Sequence, residues 1–295
     1  MSGAWRLGVI GGSGLYALDG LQNGRWITVE SPWGEPSDAC FTGVLAGVSL
    51  VFLPRHGRGH RLGPSQINYR ANIDVLKRLG VTDVLSISAC GSLREELSPG
   101  TFVLPDQFID RTNGRQSSFF GEGVVAHVSM AHPVCPRLAG LAAAAARAAG
   151  APVVEGGTYL AMEGPQFSSL AESRLYRQWG CDVLGMTNMP EAKLAREAEL
   201  PYASIAMVTD YDCWREGTEA VSVGNVLGVL QANTARARAA LGALVELLAA
   251  LPRTPSPIDT CLDAALITHA GHRDPGLASR LEAVAGRVLG RARPS

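Results

Sequence analysis

The sequence lacks the features that mark membrane-spanning, secreted or nucleic-acid-binding proteins. It has 26 Lys and Arg residues against 27 Asp and Glu residues and no block of like charge, which argues against a nucleic-acid surface or a polybasic membrane patch. No stretch approaches the roughly 20 consecutive apolar residues of a membrane-spanning helix. The first residues also lack the charged segment and long apolar run of a signal peptide. We therefore expect a cytoplasmic protein.

Cysteine pairs with the spacing of a metal or redox site are missing as well. No C-x-x-C pair and no Cys/His cluster with zinc-ligand spacing occurs. The six cysteines are scattered along the chain, as Cys40, Cys90, Cys135, Cys181, Cys213 and Cys261. We expect thiols rather than disulfides, a reducing compartment and no metal site.

What the sequence does contain is an alternation of short apolar runs and helical patterns. Its 295 residues are 46% hydrophobic, which is ample for a packed core. Apolar runs predict mostly buried strands at residues 6–10, 48–53, 82–88, 101–105, 182–186 and 202–208. Helical patterns occupy residues 65–79, 136–150, 169–179, a segment from 188 onwards, and 222–250. This alternation predicts an α/β domain with helices on both faces of a sheet.

Short signals predict where helices and domains end. Ser65 can cap the first helix, and Ser169 with Glu172 forms a capping box for a later one. The proline-rich stretch LPRTPSP follows the last long helix and predicts a linker. We therefore expect one domain over residues 1–250 and a C-terminal extension over residues 251–295, which contains a short amphipathic helix near its end.

Three loops rich in small residues follow predicted strands. The first, GGSGLYA, fits the G-x-G-x-x-A dinucleotide fingerprint, but an Asp-Gly pair soon interrupts the crossover helix that this fold needs. The alternative is an anion site made by backbone N–H groups and the Ser13 hydroxyl. The second loop, LPRHGRGH, places Arg55 and His56 at a strand end, where both suit phosphate. With the third loop, SISACGSL, they predict a phosphate site.

Two acids end the last predicted strand. Asp210 and Asp212 follow the run SIAMVT, with Tyr211 between them. Nearby carboxylates repel each other, so at least one tends to keep a proton near neutral pH. The pair is therefore either a solvated turn or the working end of an enzyme.

Eight motifs in a single order make the sequence similar to the trimeric purine nucleoside phosphorylase family. They are GVIGGSGLY, PRHGRGH, NYRANIDVLKRLG, SACGSLREELSPG, DQFIDRT, MEGPQFSSLAES, MTNMPEAKLARE and YASIAMVTDYDCW. The resemblance covers about residues 6–250 and implies a single α/β domain with a central mixed, distorted β-sheet flanked by helices. It also implies phosphorolysis, in which inorganic phosphate attacks the anomeric carbon of ribose and displaces the purine. No metal or organic cofactor is implied.

The resemblance also assigns residues to the substrates. Met186 would lie under the ribose, and Phe167 with Ser168 would frame the base. Relatives often have Thr at position 13 and Arg at position 166, where this chain has Ser and Gln, but neither change removes a hydroxyl or the phosphate-binding Arg. The implied phosphate contacts are Ser13, Arg55, His56, Ser88, Ala89 and Thr187.

Within this resemblance, Asp210 and Asp212 bind the base and supply the catalytic acid. A carboxylic acid beside the imidazole side of a purine can stabilise the departing base by sharing a proton. It can also accept a hydrogen bond from a 6-amino group, whereas relatives that cleave 6-oxopurines carry an Asn amide. Adenine is therefore favoured over the alternative, a 6-oxopurine nucleoside or methylthioinosine. A hydrolase is disfavoured because a water nucleophile needs no Arg55.

The 5′ substituent of the sugar is indicated by the start of the last long helix. Relatives that accept a 5′-hydroxyl tend to have His where this chain has Val223, and with Val226 and Leu227 this residue predicts an apolar pocket for a methylthio group. The expected reaction converts 5′-methylthioadenosine and phosphate to adenine and 5-methylthioribose 1-phosphate, a step of purine and methionine salvage. His127 matches a histidine that the family lends to the neighbouring subunit, which implies a homotrimer.

Overall fold

One mixed sheet organises the described part of the chain. The computed structural model describes residues 3–215 and 223–290, without the side chains of Ser13 and of residues 223–227. Within these residues the main path of the sheet has the order β2-β3-β4-β1-β5-β10-β9-β7, and β11 pairs with β5 and β6, while β8 pairs with β6. The strands are β1 (Arg6–Gly11), β2 (Gln22–Ile27), β3 (Cys40–Leu45), β4 (Val48–Pro54), β5 (Asp83–Ser92), β6 (Phe102–Leu104), β7 (Gln107–Arg111), β8 (Val153–Glu155), β9 (Thr158–Met162), β10 (Val183–Gly185) and β11 (Tyr202–Asp210).

Strand directions confirm the mixed α/β sheet. β1 is parallel to β4 and β5, and β11 is parallel to β5, whereas β10 is antiparallel to β5. The six predicted strands correspond to β1, β4, β5, β6, β10 and β11. The sequence analysis missed β2, β3, β7, β8 and β9, and two of these have a clear physical reason. β2 lies at a sheet edge with almost every residue exposed, and β8 has only three residues, so neither carries a buried apolar pattern.

Helices cover both faces of the sheet, as the alternation predicted. They are α1 (Tyr69–Arg78), α2 (Pro136–Ala148), α3 (Leu170–Gln178), α4 (Asn188–Glu197), α5 (Val223–Ala250), α6 (Pro275–Arg280) and α7 (Glu282–Leu289). One hydrophobic cluster joins the sheet to α1 and α4, through residues such as Ile73 and Leu194. A second cluster joins it to α2 and α5, through Leu138 and Leu244. In the described ranges, no helix combines the length and the apolar character that crossing a membrane requires.

Helix α1 starts later than the sequence predicted. Asn68, not Ser65, is its cap, because the Asn68 side chain accepts a hydrogen bond from the backbone N–H of Ala71 at 3.1 Å. Ser65 instead donates to the carboxylate of Glu163. The capping box at the start of α3 is confirmed. The Ser169 hydroxyl accepts a hydrogen bond from the Glu172 backbone N–H, and the Glu172 carboxylate accepts one from the Ser169 backbone N–H.

The C-terminal extension is fastened to the rest of the fold by buried ion pairs. Arg253 Nε lies 2.6 Å from Asp83, whose side chain is completely buried. Arg287 binds Glu199 through Nη2 at 2.5 Å and Nε at 3.0 Å. In place of one amphipathic helix near 275–290, the extension has two short helices, α6 and α7, and Leu281 between them packs into the core.

Candidate active site

A cavity of about 640 Å³, which we call the central pocket, lies at the carboxyl ends of β1, β4 and β11 and along the last residues of β5. Parallel strands end at the same edge of a sheet, so loops that are distant in sequence meet there. The pocket brings together most of the side chains that the sequence analysis selected. These are Arg55, His56, Ser88, Ala89, Phe167, Met186, Thr187, Asp210 and Asp212.

Two selected residues lie outside the central pocket of their own chain. Ser168 is not a lining residue, although its hydroxyl lies 3.5 Å from Sδ of the lining residue Met162. His127 is exposed and borders a separate cavity of about 410 Å³, together with Glu197. His127 therefore does not line the central pocket of its own chain.

Several selected side chains lie outside the described part of the structure. They are those of Ser13, Val223, Val226 and Leu227. Their neighbours nevertheless border the pocket: Gly12 and Gly14 flank position 13, and Leu230 and Thr234 belong to helix α5. Residues 223, 227, 230 and 234 are spaced by three or four, so they share one face of that helix.

The glycine loop does not have the geometry of a dinucleotide site. Residues Ser13–Leu15 form a single turn of 3₁₀ helix, and the chain then continues into the exposed edge strand β2. A dinucleotide fold needs a full helix after this loop to cross to a parallel strand. The turn instead places the backbone of Gly12 and Gly14 at the pocket wall.

Arg55 is buried and tightly held. Its Nε lies 2.9 Å and its Nη2 3.2 Å from the two carboxylate oxygens of Glu191. Nη2 also donates to the Ser86 hydroxyl at 2.6 Å, and Nη1 donates to the Ile87 carbonyl at 3.0 Å. The edge of the guanidinium formed by Nε and Nη2 is thus occupied by Glu191. Among the described residues, one Nη1 hydrogen is left to face the pocket.

His56 is neutral near pH 7. Burial, with a further contribution from the Arg55 charge, lowers the pKa of His56 to about 4. Its Nδ1 lies 2.9 Å from the Leu62 carbonyl, which can only accept, so Nδ1 carries the hydrogen. The neutral ring also stacks on His60 with 4.2 Å between ring centroids. In this tautomer Nε2 is an acceptor, so His56 in this form does not supply the ring N–H that would donate to phosphate.

Buried polar groups connect the start of α4 to β5 and β11. The Ser88 hydroxyl donates to Asn188 Oδ1 at 3.3 Å, and Asn188 Nδ2 donates to the Ser204 hydroxyl at 2.6 Å. Thr187 precedes α4 without capping it by its side chain, although it lines the pocket. We call Arg55, Ser88 and Thr187, together with the adjacent His56 whose free Nε2 is an acceptor, the donor end of the pocket.

We call Asp210 and Asp212 the acid end of the pocket, and the Asp210 carboxylate is held by its own loop. The Thr209 hydroxyl donates to Asp210 Oδ2 at 2.7 Å, and the backbone N–H of Asp212 donates to Asp210 Oδ1 at 2.8 Å. An irregularity in the pairing of β11 with β5 places Asp210 opposite Gly91. A Cβ atom on Gly91 would lie 3.0 Å from Asp210 Oδ1, so glycine leaves room for the carboxylate.

Both acids hold protons to a higher pH than an ordinary aspartic acid. Burial raises the pKa of Asp210, and the hydrogen bond from Thr209 partly opposes this. Burial also raises the pKa of Asp212, to which the charge of Asp210 adds a smaller increase. The sequence analysis attributed the retained proton to repulsion between the acids, but burial is the larger cause.

Comparison with known proteins identifies the family. The family model described as "Phosphorylase superfamily" matches residues 6–248. The S-methyl-5′-thioadenosine phosphorylase of Cereibacter sphaeroides is 59% identical over 96% of this chain and 98% of its own length. That of Rhodospirillum rubrum is 59% identical over 98% of this chain and 100% of its own length. The chain belongs to the S-methyl-5′-thioadenosine phosphorylase family.

Solved structures of this family share the fold. A methylthioadenosine phosphorylase from an Antarctic soil metagenomic library is 47% identical and superposes with a TM-score of 0.90, covering 95% of this chain and 99% of its own. A methylthioadenosine phosphorylase from Schistosoma mansoni in complex with adenine is 40% identical, with a TM-score of 0.78 over 83% of this chain and 92% of its own. These matches confirm the phosphorylase-type α/β fold that the motifs implied.

Proposed function

We propose that this family member cleaves 5′-methylthioadenosine with inorganic phosphate, producing adenine and 5-methylthioribose 1-phosphate. The observation that carries the proposal is the spacing of the two ends of the central pocket along one strand. Arg55 binds the carbonyl of Ile87, and Asp210 pairs with Gly91, four residues further along β5. Four residues of strand span about 13 Å. This distance suits a phosphate, a ribose and a purine bound in sequence.

The two ends then act on opposite sides of one bond. Phosphate at the donor end attacks the anomeric carbon as the bond from that carbon to the purine nitrogen breaks. The electron pair of this bond leaves with the base, and Asp210, protonated to a higher pH because it is buried, can share its proton with the imidazole side of the purine. Phosphate is itself the nucleophile, so the reaction needs no metal or organic cofactor.

Helix α5 supports a methylthio group as the 5′ substituent. Leu230 lines the pocket, and Val223, Val226 and Leu227 precede it on the same helix. An apolar wall suits a thioether, which accepts hydrogen bonds only weakly.

We further propose a homotrimer in which His127 of one subunit reaches the pocket of the next. Its exposure and its position at a cavity other than the central pocket of its own chain support this arrangement. Light scattering should give a trimer, and a fully active monomer would contradict the shared site.

The decisive experiment compares release of free base from methylthioadenosine, methylthioinosine, adenosine and inosine, with and without phosphate. Phosphate-dependent release should be fastest from methylthioadenosine and should survive exhaustive chelation. Preference for either 6-oxopurine substrate would establish the alternative, and undiminished release without phosphate would establish a hydrolase.

A further inference from the structure

Arg115 is a buried cation that bridges segments of the chain behind the central pocket. Its side chain is only 2% exposed. Nη1 donates to the Met186 carbonyl at 2.6 Å, to the Met189 carbonyl at 3.0 Å and to the Tyr69 hydroxyl at 3.1 Å. Nη2 donates to the Glu163 carbonyl at 2.6 Å. The residue does not border the pocket itself, so it acts on the pocket through these groups.

The bonded carbonyls belong to two walls of the pocket. Met186 lines it directly and is followed by Thr187, while Glu163 leads into the segment that carries Phe167. The two walls also touch, because a Cβ atom on Gly164 would lie only 2.4 Å from Met186 Sδ. A small movement of either wall therefore changes the width of the pocket.

We propose that Arg115 is a positioning residue that fixes the distance between the Met186 wall and the Phe167 wall. The proposal rests on the proposed function, since these walls would hold the ribose and the base. The nearest carboxylate, that of Glu163, lies 3.5 Å from Arg115 Nε, so most of the guanidinium is satisfied by neutral oxygens. Burial of a charge is costly unless it is hydrogen-bonded, and here the fork binds both walls at once.

A guanidinium is needed for this bridge, and a lysine cannot replace it. The two terminal nitrogens of Arg point to different walls, whereas an ammonium concentrates its donors on one atom. Arg115→Lys should keep the charge and lose the hydrogen bonds to one wall. Arg115→Met should lose the hydrogen bonds to both walls.

The test compares Arg115→Met and Arg115→Lys with a matched control, Arg196→Met. Arg196 is also buried and also binds two backbone carbonyls, those of Ser129 and His132, but it does not border the pocket. Misplacement of a wall by about 1 Å can cost about 10²-fold in rate. For Arg115→Met we expect a loss of that order in kcat/KM, a raised nucleoside KM, and partial rescue of activity by dilute guanidinium ion. For Arg115→Lys we expect a smaller loss in kcat/KM. Arg196→Met should lower only the melting temperature.

Unchanged kinetic constants in folded Arg115 variants, or equal losses in the Arg196 control, would overturn the proposal. Crystal structures of the Arg115 variants test independently of turnover whether Arg115 positions the two walls. Movement of residues 163–167 away from Met186 in Arg115→Lys or Arg115→Met supports it, and unmoved walls refute it. A wild-type enzyme that cleaves another nucleoside would refute the proposed substrate while leaving this structural comparison valid.

Discussion

The two ends of the central pocket are built on different physical principles. At the donor end, the polar groups are already committed to protein partners: Arg55 to Glu191, and His56 Nδ1 to the Leu62 carbonyl. At the acid end, Asp210 and Asp212 keep a raised pKa because they are buried. The positive charge of Arg55 is balanced by Glu191, so anion binding there depends on directed hydrogen bonds rather than net charge. The acid end depends on the cost of burying a negative charge.

The largest effect is expected from Asp210→Asn. An amide cannot relay a proton, and loss of a general acid typically costs about 10²–10⁴-fold in rate. An amide can donate to a 6-oxo group, so preference should move from adenine nucleosides towards 6-oxopurine nucleosides. Steady-state kinetics with methylthioadenosine and methylthioinosine would measure both changes. Asp106→Asn, at an acid that binds the Gly157 backbone outside the pocket, is the control. A wild-type rate and base preference in Asp210→Asn would show that Asp210 does not touch the base.

Arg55→Met tests whether the donor end depends on its ion pair. It leaves Glu191 buried without a cation, which typically costs about 3–5 kcal/mol in the free energy of unfolding. Denaturant unfolding measures this loss, and the phosphate KM should rise more than the nucleoside KM.

A double variant separates stability from binding at the donor end. Arg55→Met with Glu191→Leu removes both charges, so it should recover part of the stability while the phosphate KM stays high. Recovery of the phosphate KM together with stability would mean that Arg55 serves only the fold.

Glu197 is a buried acid outside the central pocket, so it tests whether a raised pKa by itself indicates a catalytic residue. Burial raises the pKa of Glu197 to about 7, although it accepts hydrogen bonds from Ser118 and Phe119. The folded state therefore binds more protons than the unfolded state, whose Glu pKa is about 4.3. The free energy of unfolding should fall as pH rises from about 4.3 to 7, by up to about 3 kcal/mol.

Denaturant unfolding across this pH range measures the slope, and Glu197→Gln should flatten it. The pH dependence of the cleavage rate should keep its shape in that variant, because Asp210 and Asp212 remain. A changed pH–rate profile in Glu197→Gln would contradict this separation.

The smallest expected effect concerns Val223→His. A buried imidazole that faces a thioether loses hydration without gaining a good acceptor, at a cost of roughly 1–3 kcal/mol. A 5′-hydroxyl is a better partner, so the specificity ratio of methylthioadenosine to adenosine should fall. Kinetics on both substrates, with the melting temperature as a check on folding, would measure it. Equal losses on both substrates in a folded variant would assign Val223 to the helix core alone.

Local sequence patterns predicted the residues that end strands, but not the partners that hold them. Arg55 and Asp210 follow apolar runs, and parallel strands bring such ends together, so both could be placed in one site. Glu191 lies 136 residues from Arg55, and no local pattern links the two positions. Arg115 carries no local signal, since its role depends on carbonyls from two distant loops. The spacing of apolar residues in the sequence indicates which residues are buried. Which polar side chains bind each other depends on the tertiary structure.

The ion pairs of the C-terminal extension determine where this chain can be recombined with its relatives. The described partners of the Glu199 carboxylate, the Leu262 backbone and Arg287, both come from the extension. Of the two arginines that the structure describes at Asp83, Arg137 would remain if Arg253 were removed. A chimera joined after residue 250 must therefore supply matching arginines from its other parent, or it buries the Glu199 carboxylate without its arginine and leaves Asp83 with one arginine in place of two. Crossover points beyond α7 keep each acid with its own arginine, so the extension is inherited with the domain as one unit.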